Sequence, residues 1–134
     1  MSENESGVNS SISEQEQNFF VVGIGASAGG LRALEEFFEH MPTDSGAAFV
    51  VIQHLSPDFK SLMKELLERR TRMAIYRVKE GMVLQPNSVY LIPPGKNLVL
   101  ENRKLHLLEQ EERSRHGLNF PIDIFLESLA KTYV

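Results

Sequence analysis

The chain has no cysteine and no tryptophan among its 134 residues. Without cysteine it can hold neither a disulfide framework nor a thiolate metal site. It has no excess of basic residues either. Fourteen Lys and Arg stand against 18 Asp and Glu, a formal net charge of −4. That argues against the basic face by which proteins hold nucleic acid and gives no attraction to anionic lipid. No apolar run approaches the roughly 20 residues that cross a bilayer. The polar, acidic start MSENESGVNSSISEQEQN lacks the apolar core of a signal peptide. No two histidines have H-x-x-x-H spacing, so no metal is expected. These absences predict a cytoplasmic protein with no cofactor, no nucleic-acid partner and no membrane insertion.

What is present is ordinary globular material: 42% apolar and 24% charged residues. Residues 1–18 are rich in Ser, Glu, Asn and Gln and are expected to form a disordered tail. Order is expected to begin at Phe19. The run Phe19-Phe20-Val21-Val22-Gly23-Ile24 is short, apolar and β-prone, as in a strand covered on both faces. Leu31, Leu34, Phe37 and Phe38 then form one stripe of a helix, ended by Pro42 and the Asp44-Ser45-Gly46 turn. A second apolar run, Ala47-Ala48-Phe49-Val50-Val51-Ile52, stops at Gln53-His54.

Ser56-Pro57 has the form of an N-cap followed by proline, and Leu62, Met63, Leu66 and Leu67 repeat on a helical face. A third strand is expected over 74–78, then turn-separated β-prone runs over 81–108. Residues 97–101 and 104–108, joined by Asn102-Arg103, predict a hairpin. Residues 109–119 read as a charged loop. Pro121 opens a last helix with Ile122, Phe125, Leu126 and Leu129 apolar. The alternation predicts an α/β fold: an open, mostly parallel, Rossmann-like sheet with helices on both faces, plus a β-hairpin. The chain stops at Tyr133-Val134 without a cap or turn signal, as a domain truncated at its C-terminus would.

Open α/β sheets bind ligands beyond the carboxyl ends of their strands. Ser27 follows the first strand and His54 the second. Gly25-Ala26-Ser27-Ala28-Gly29 satisfies G-x-S-x-G, whose small neighbours let a strand-to-helix turn expose a nucleophilic hydroxyl. The N–H groups at the start of the next helix can hold an oxyanion. The same five residues fit a glycine-rich turn in which Ser27 only caps the helix. They also approach a dinucleotide fingerprint, so a nucleotide- or ligand-binding Rossmann-like module is the alternative. That module wants a carboxylate at the end of the second strand; Gln53 and His54 stand there instead. Imidazole is the usual base for a serine. His40, His106 and His116 occupy a helix end, the hairpin and a charged loop. Asp58 and Asp123 fall in first turns of helices, where they complement the dipole.

The segment from Val21 to Gly30 and the segment from Val50 to Pro57 resemble the CheB-type protein-glutamate methylesterase domain of bacterial chemotaxis. So do Tyr90-Leu91-Ile92-Pro93-Pro94-Gly95 and Pro121-Ile122-Asp123-Ile124-Phe125. By that resemblance Ser27 matches the nucleophile and His54 the base, with the backbone of Ala28 and Gly29 at the oxyanion site. Ala28 stands where many members have threonine. The triad aspartate would lie in a later Gly-rich segment beyond residue 134. Residues 19–134 would then be the N-terminal two-thirds of a catalytic domain, inactive alone.

The implied reaction is hydrolysis of glutamate methyl esters on methylated chemoreceptors, releasing methanol, and in some members glutamine deamidation. Many members carry a receiver domain before the esterase, for which the first 18 residues are too short. The Pro121-Ile122-Asp123 form is similar to the subgroup in which methyltransferase and sensor-kinase modules share the polypeptide.

Overall fold

A computed structural model of the chain describes residues 19–27, 30–54, 57–110 and 121–132, with the backbone alone at 54 and 57–61. The expected tail over 1–18, the N-cap at Ser56, residues 111–119 of the loop expected over 109–119 and the strand start at Tyr133-Val134 lie outside the described residues, while Glu109 ends a strand. Strand β1 (Val21–Ser27) leads to helix α1 (Leu31–His40), strand β2 (Ala48–His54), helix α2 (Pro57–Glu68) and strand β3 (Ala74–Arg77). Then come β4 (Met82–Val83), β5 (Ser88–Leu91), β6 (Lys96–Glu101), β7 (Lys104–Glu109) and helix α3 (Pro121–Thr132).

The strands form two sheets. In the first, β1, β2, β5 and β3 lie in that order and every pair is parallel. The second is antiparallel, in the order β4, β7, β6. The sequence places the first two strands together at the centre of a sheet. They are neighbours, but only β2 is interior; β1 is at the edge of the described sheet. The run over 88–91 is more than a turn-separated fragment. It enters between β2 and β3, and all four of its residues are buried.

β2 explains the core. Phe49 and Val51 share one cluster with Leu34 and Phe38 of α1 and Met63 and Leu67 of α2. Ala48, Val50 and Ile52 share the other with Phe125 of α3 and Leu98, Leu100 and Leu105 of the hairpin. A strand covered on both faces has no polar side to show, hence its continuous apolar run. Helices therefore lie on both faces, with the second face shared between α3 and the small sheet. The rings of Phe37, Phe38 and Phe49 meet edge to face, with centroids 5.0–5.8 Å apart. The hairpin turns at Asn102 (φ 53°) and Arg103 (φ 64°). Two positive φ angles in a two-residue loop match the twist of the flanking strands. The Arg103 guanidinium lies 5.6 Å from the centroid of the Phe19 ring.

Candidate active site

Ser27 is the last residue of β1 and is exposed. Its partner across the parallel ladder is His54, the last residue of β2. Neighbouring strands lie about 4.8 Å apart, so the two residues leave one rim of the sheet side by side. The strand ends three residues beyond the apolar run, at Ser27 and not at Ile24. Gly25 and Ala26 continue the ladder opposite Ile52 and Gln53, because β2 offers backbone partners to its very end. The glycine-rich stretch therefore starts inside the strand and not in a turn. Ala28 and Gly29, the expected oxyanion donors, lie outside the described residues, as does the side chain of His54.

The glycines of β1 answer to packing. A Cβ on Gly25 would stand 2.6 Å from Ile122 Cγ2, and one on Gly23 would stand 2.9 Å from Leu126 Cδ2. Real Cβ atoms do not come so close. Helix α3 lies against bare backbone and so closes down on β1 directly below Ser27. The sequence shows the G-x-G spacing of Gly23 and Gly25 and the apolar Ile122 and Leu126 separately. Nothing local announces that they meet across about 100 residues of chain.

The remaining candidates have other occupations. His40 Nδ1 lies 2.8 Å from the Glu36 carbonyl at the end of α1. His106 Nδ1 lies 2.7 Å from Glu80 Oε2. Asp123 is exposed in the first turn of α3. His116 and the side chain of Asp58 lie outside the described residues. Two surface grooves, of about 670 and 410 Å³, lie elsewhere. One runs between the Asn102-Arg103 turn and α3, the other between the C-terminal ends of α1 and α2. Ser27 borders neither.

Serine and histidine on one rung of a parallel sheet suit acyl transfer. The CheB methylesterase family model matches residues 22–134. The chain belongs to the CheB methylesterase family. It is 32% identical over 120 residues to protein-glutamate methylesterase/protein-glutamine glutaminase 2 of Pseudomonas fluorescens (strain Pf0-1), covering 87% of this chain and 31% of that protein. It is 32% identical over 112 residues to protein-glutamate methylesterase/protein-glutamine glutaminase of Geobacillus kaustophilus (strain HTA426), covering 82% and 32%. The fold is similar to the CheB methylesterase catalytic domain of Thermotoga maritima, with a TM-score of 0.73 at 26% identity. That match covers 87% of this chain and 62% of the solved one. The chain thus spans about a third of the length of the curated relatives it matches.

One member of this CheB-family rim escaped the pattern of reactive residues. Gln53 is only 4% exposed, and neither its Oε1 nor its Nε2 has a hydrogen-bond partner among the described residues. A buried polar group left unserved typically costs about 1–3 kcal/mol. In the sequence Gln53 reads only as the polar end of an apolar run. No local signal marks it as enclosed, because its burial depends on the helices that cover that face of β2.

Proposed function

We propose that the chain carries the nucleophile and base of a protein-glutamate methylesterase. The observation that carries this reading is the shared rung of Ser27 and His54 at the carboxyl end of adjacent parallel strands. Ser27 Oγ attacks the ester carbonyl carbon while His54 takes the hydroxyl proton. The tetrahedral oxyanion is held by the backbone N–H groups of Ala28 and Gly29, which follow Ser27 in the sequence. The C–O bond to the methoxy group breaks, His54 returns its proton to that oxygen, and methanol leaves. Water, deprotonated by His54, then attacks the acyl carbon; the bond to Ser27 Oγ breaks, His54 returns the proton to that oxygen, and the glutamate carboxylate is freed. A glutamine side chain would follow the same course with ammonia leaving, in keeping with the double name of the relatives.

The carboxylate that orients His54 is assigned to a part of the domain outside this chain, a reading supported by a match that covers 62% of the solved CheB domain. Neither Asp58 nor Asp123 is assigned the task. The protein substrate is a methylated chemoreceptor, reached in the cytoplasm. Association with methyltransferase and sensor-kinase modules rests on the Pro121-Ile122-Asp123 form alone.

The test is Ser27→Ala in the full-length protein, assayed by methanol release from methylated receptor. Turnover is expected to fall by about 10³-fold or more, as when a member of a catalytic unit is removed, with the melting transition preserved. Turnover at the parent rate would overturn the nucleophile assignment.

A further inference from the structure

The rung beneath Ser27 and His54 pairs Ala26 with Gln53. Parallel rung partners share a face of the sheet, and Ala26 packs with the cluster beneath α1 and α2. The Ala26 methyl lies 3.1 Å from where a Cβ on Gly30 would stand, so this face leads straight to the first turn of α1. The Gly30 cap contributes no side-chain hydrogen bond there. Gln53 thus carries an enclosed amide, without partners among the described residues, one rung below the reacting groups and on the face where α1 begins.

We infer that Gln53 is a positioning residue of the acyl-transfer site, whose buried amide gains its missing hydrogen bonds as the tetrahedral intermediate forms. The inference rests on the Ser27–His54 reading. An amide unserved in the resting chain and served in the charged intermediate favours the second state over the first. Such differential bonding raises kcat and leaves KM nearly alone. Buried polar groups without partners are rare enough in folded proteins that each calls for a reason. A site that holds bonding capacity in reserve is one such reason.

Two other roles predict different outcomes. A spectator amide is a pure burden, so an apolar replacement would stabilise the fold and leave the rate alone. A structural amide is bonded in the resting chain, so the same replacement would destabilise it. Gln53→Met keeps the unbranched shape and removes the amide. In the full-length protein, melting temperature, kcat and KM for methanol release are compared with the parent, and Ser27→Ala is assayed beside it. The expected result is a melting temperature unchanged or raised by a few degrees. With it, kcat falls about tenfold or more and KM stays within about twofold. An unchanged kcat, a loss carried by KM alone, or a lowered melting temperature would overturn the inference. If Ser27→Ala keeps its turnover, the site reading itself fails. If Ser27→Ala is inactive while Gln53→Met works normally, only the role of Gln53 falls.

Discussion

The rim of the parallel sheet and the small antiparallel sheet handle their polar groups in opposite ways. On β6 the outer edge is served by side chains. Ser128 Oγ accepts from the Leu100 N–H at 3.0 Å, and Thr132 Oγ1 donates to the Leu100 carbonyl at 3.2 Å. Gln110 Nε2 donates to the Lys96 carbonyl at 3.4 Å. On β7 the Leu107 N–H donates to Glu80 Oε1 at 2.8 Å. At the rim, Gln53 has no such service among the described residues, and Gly23 and Gly25 bring no side chain to the packing. An open strand edge invites association unless something covers it, and the small sheet is finished accordingly. The rim gives up packing and bonding where Ser27 and His54 must be placed. Rules of local consistency are commonly broken at functional sites and kept elsewhere. Helix α3 serves both regions, with Ile122 and Leu126 against β1 and Ser128 and Thr132 against β6.

If α3 joins the two regions, removing its buried anchor should damage both. Phe125 is fully buried in the cluster that holds Val50 and Ile52 of β2 and Leu98 and Leu100 of β6. Phe125→Ala is expected to lower unfolding free energy by about 3–5 kcal/mol, read from denaturant titration. This is the largest effect forecast for any single change here. A loss below about 1 kcal/mol, the level of an ordinary surface change, would mean that α3 hangs on one sheet only.

A finer test asks whether β1 is bare because α3 lies on it. The three nearest atoms to a Cβ on Gly25 all belong to Ile122, at 2.6, 3.0 and 3.1 Å. Gly25→Ala should therefore destabilise by about 1–3 kcal/mol, the usual range for an overfilled core. In an Ile122→Ala background the methyl has room, and most of that penalty should vanish. A double-mutant cycle measures the coupling, expected at about 1 kcal/mol or more. Equal penalties in both backgrounds would show that the glycine answers to something other than Ile122.

The same contrast explains what the sequence revealed. Local rules carried β2, α1, α2 and the hairpin. Their signals are an apolar run, a repeat of three and four, or a two-residue turn at Asn102-Arg103, each held within a few residues. Ser27 and His54 stood out as candidates because each closely follows an apolar run and each is a reactive type. Their pairing followed from topology. Three features depended on distant chain and did not show. β5 is inserted between β2 and β3. β1 runs on through Gly25 to Ser27 because β2 continues beside it. Gly23 and Gly25 face α3. Gln53 was visible as a residue but not as an enclosed one, since burial of its amide depends on both helices over that face.

On the small sheet the expected effects are smaller, because each cap can be replaced in part by water. Ser128 Oγ accepts from Leu100 N–H and donates to the Phe125 carbonyl at 2.7 Å. Ser128→Ala leaves the N–H of buried Leu100 to find another partner along the groove that Leu100 and Ser128 line. A loss of about 1 kcal/mol is expected, typical of a single hydrogen bond, with methanol release by the full-length protein unchanged. A large fall in turnover with stability intact would erase the contrast between a stabilising sheet and a reactive rim.

The smallest effect belongs to Glu80, which ties the loop before β4 to β7. The hydrogen bond with His106 is the main cause holding its carboxyl below the ordinary value of 4.5, and the Leu107 N–H adds to it. The sign follows from linkage. A carboxyl depressed in the folded chain lends stability that is complete above its unfolded value and is lost as pH falls through the folded one. The group is exposed, so solvent screens the interaction and the gain is modest. Glu80→Gln should melt slightly below the parent at neutral pH, and the gap should start to narrow as pH falls below about 4.5 and close below the folded value. Melting curves of both proteins between pH 7 and pH 3 decide it. A gap that persists at the acid end, or widens there, would mean that Glu80 acts through its shape and not through its charge, and that the tie between the loop and β7 needs no carboxylate.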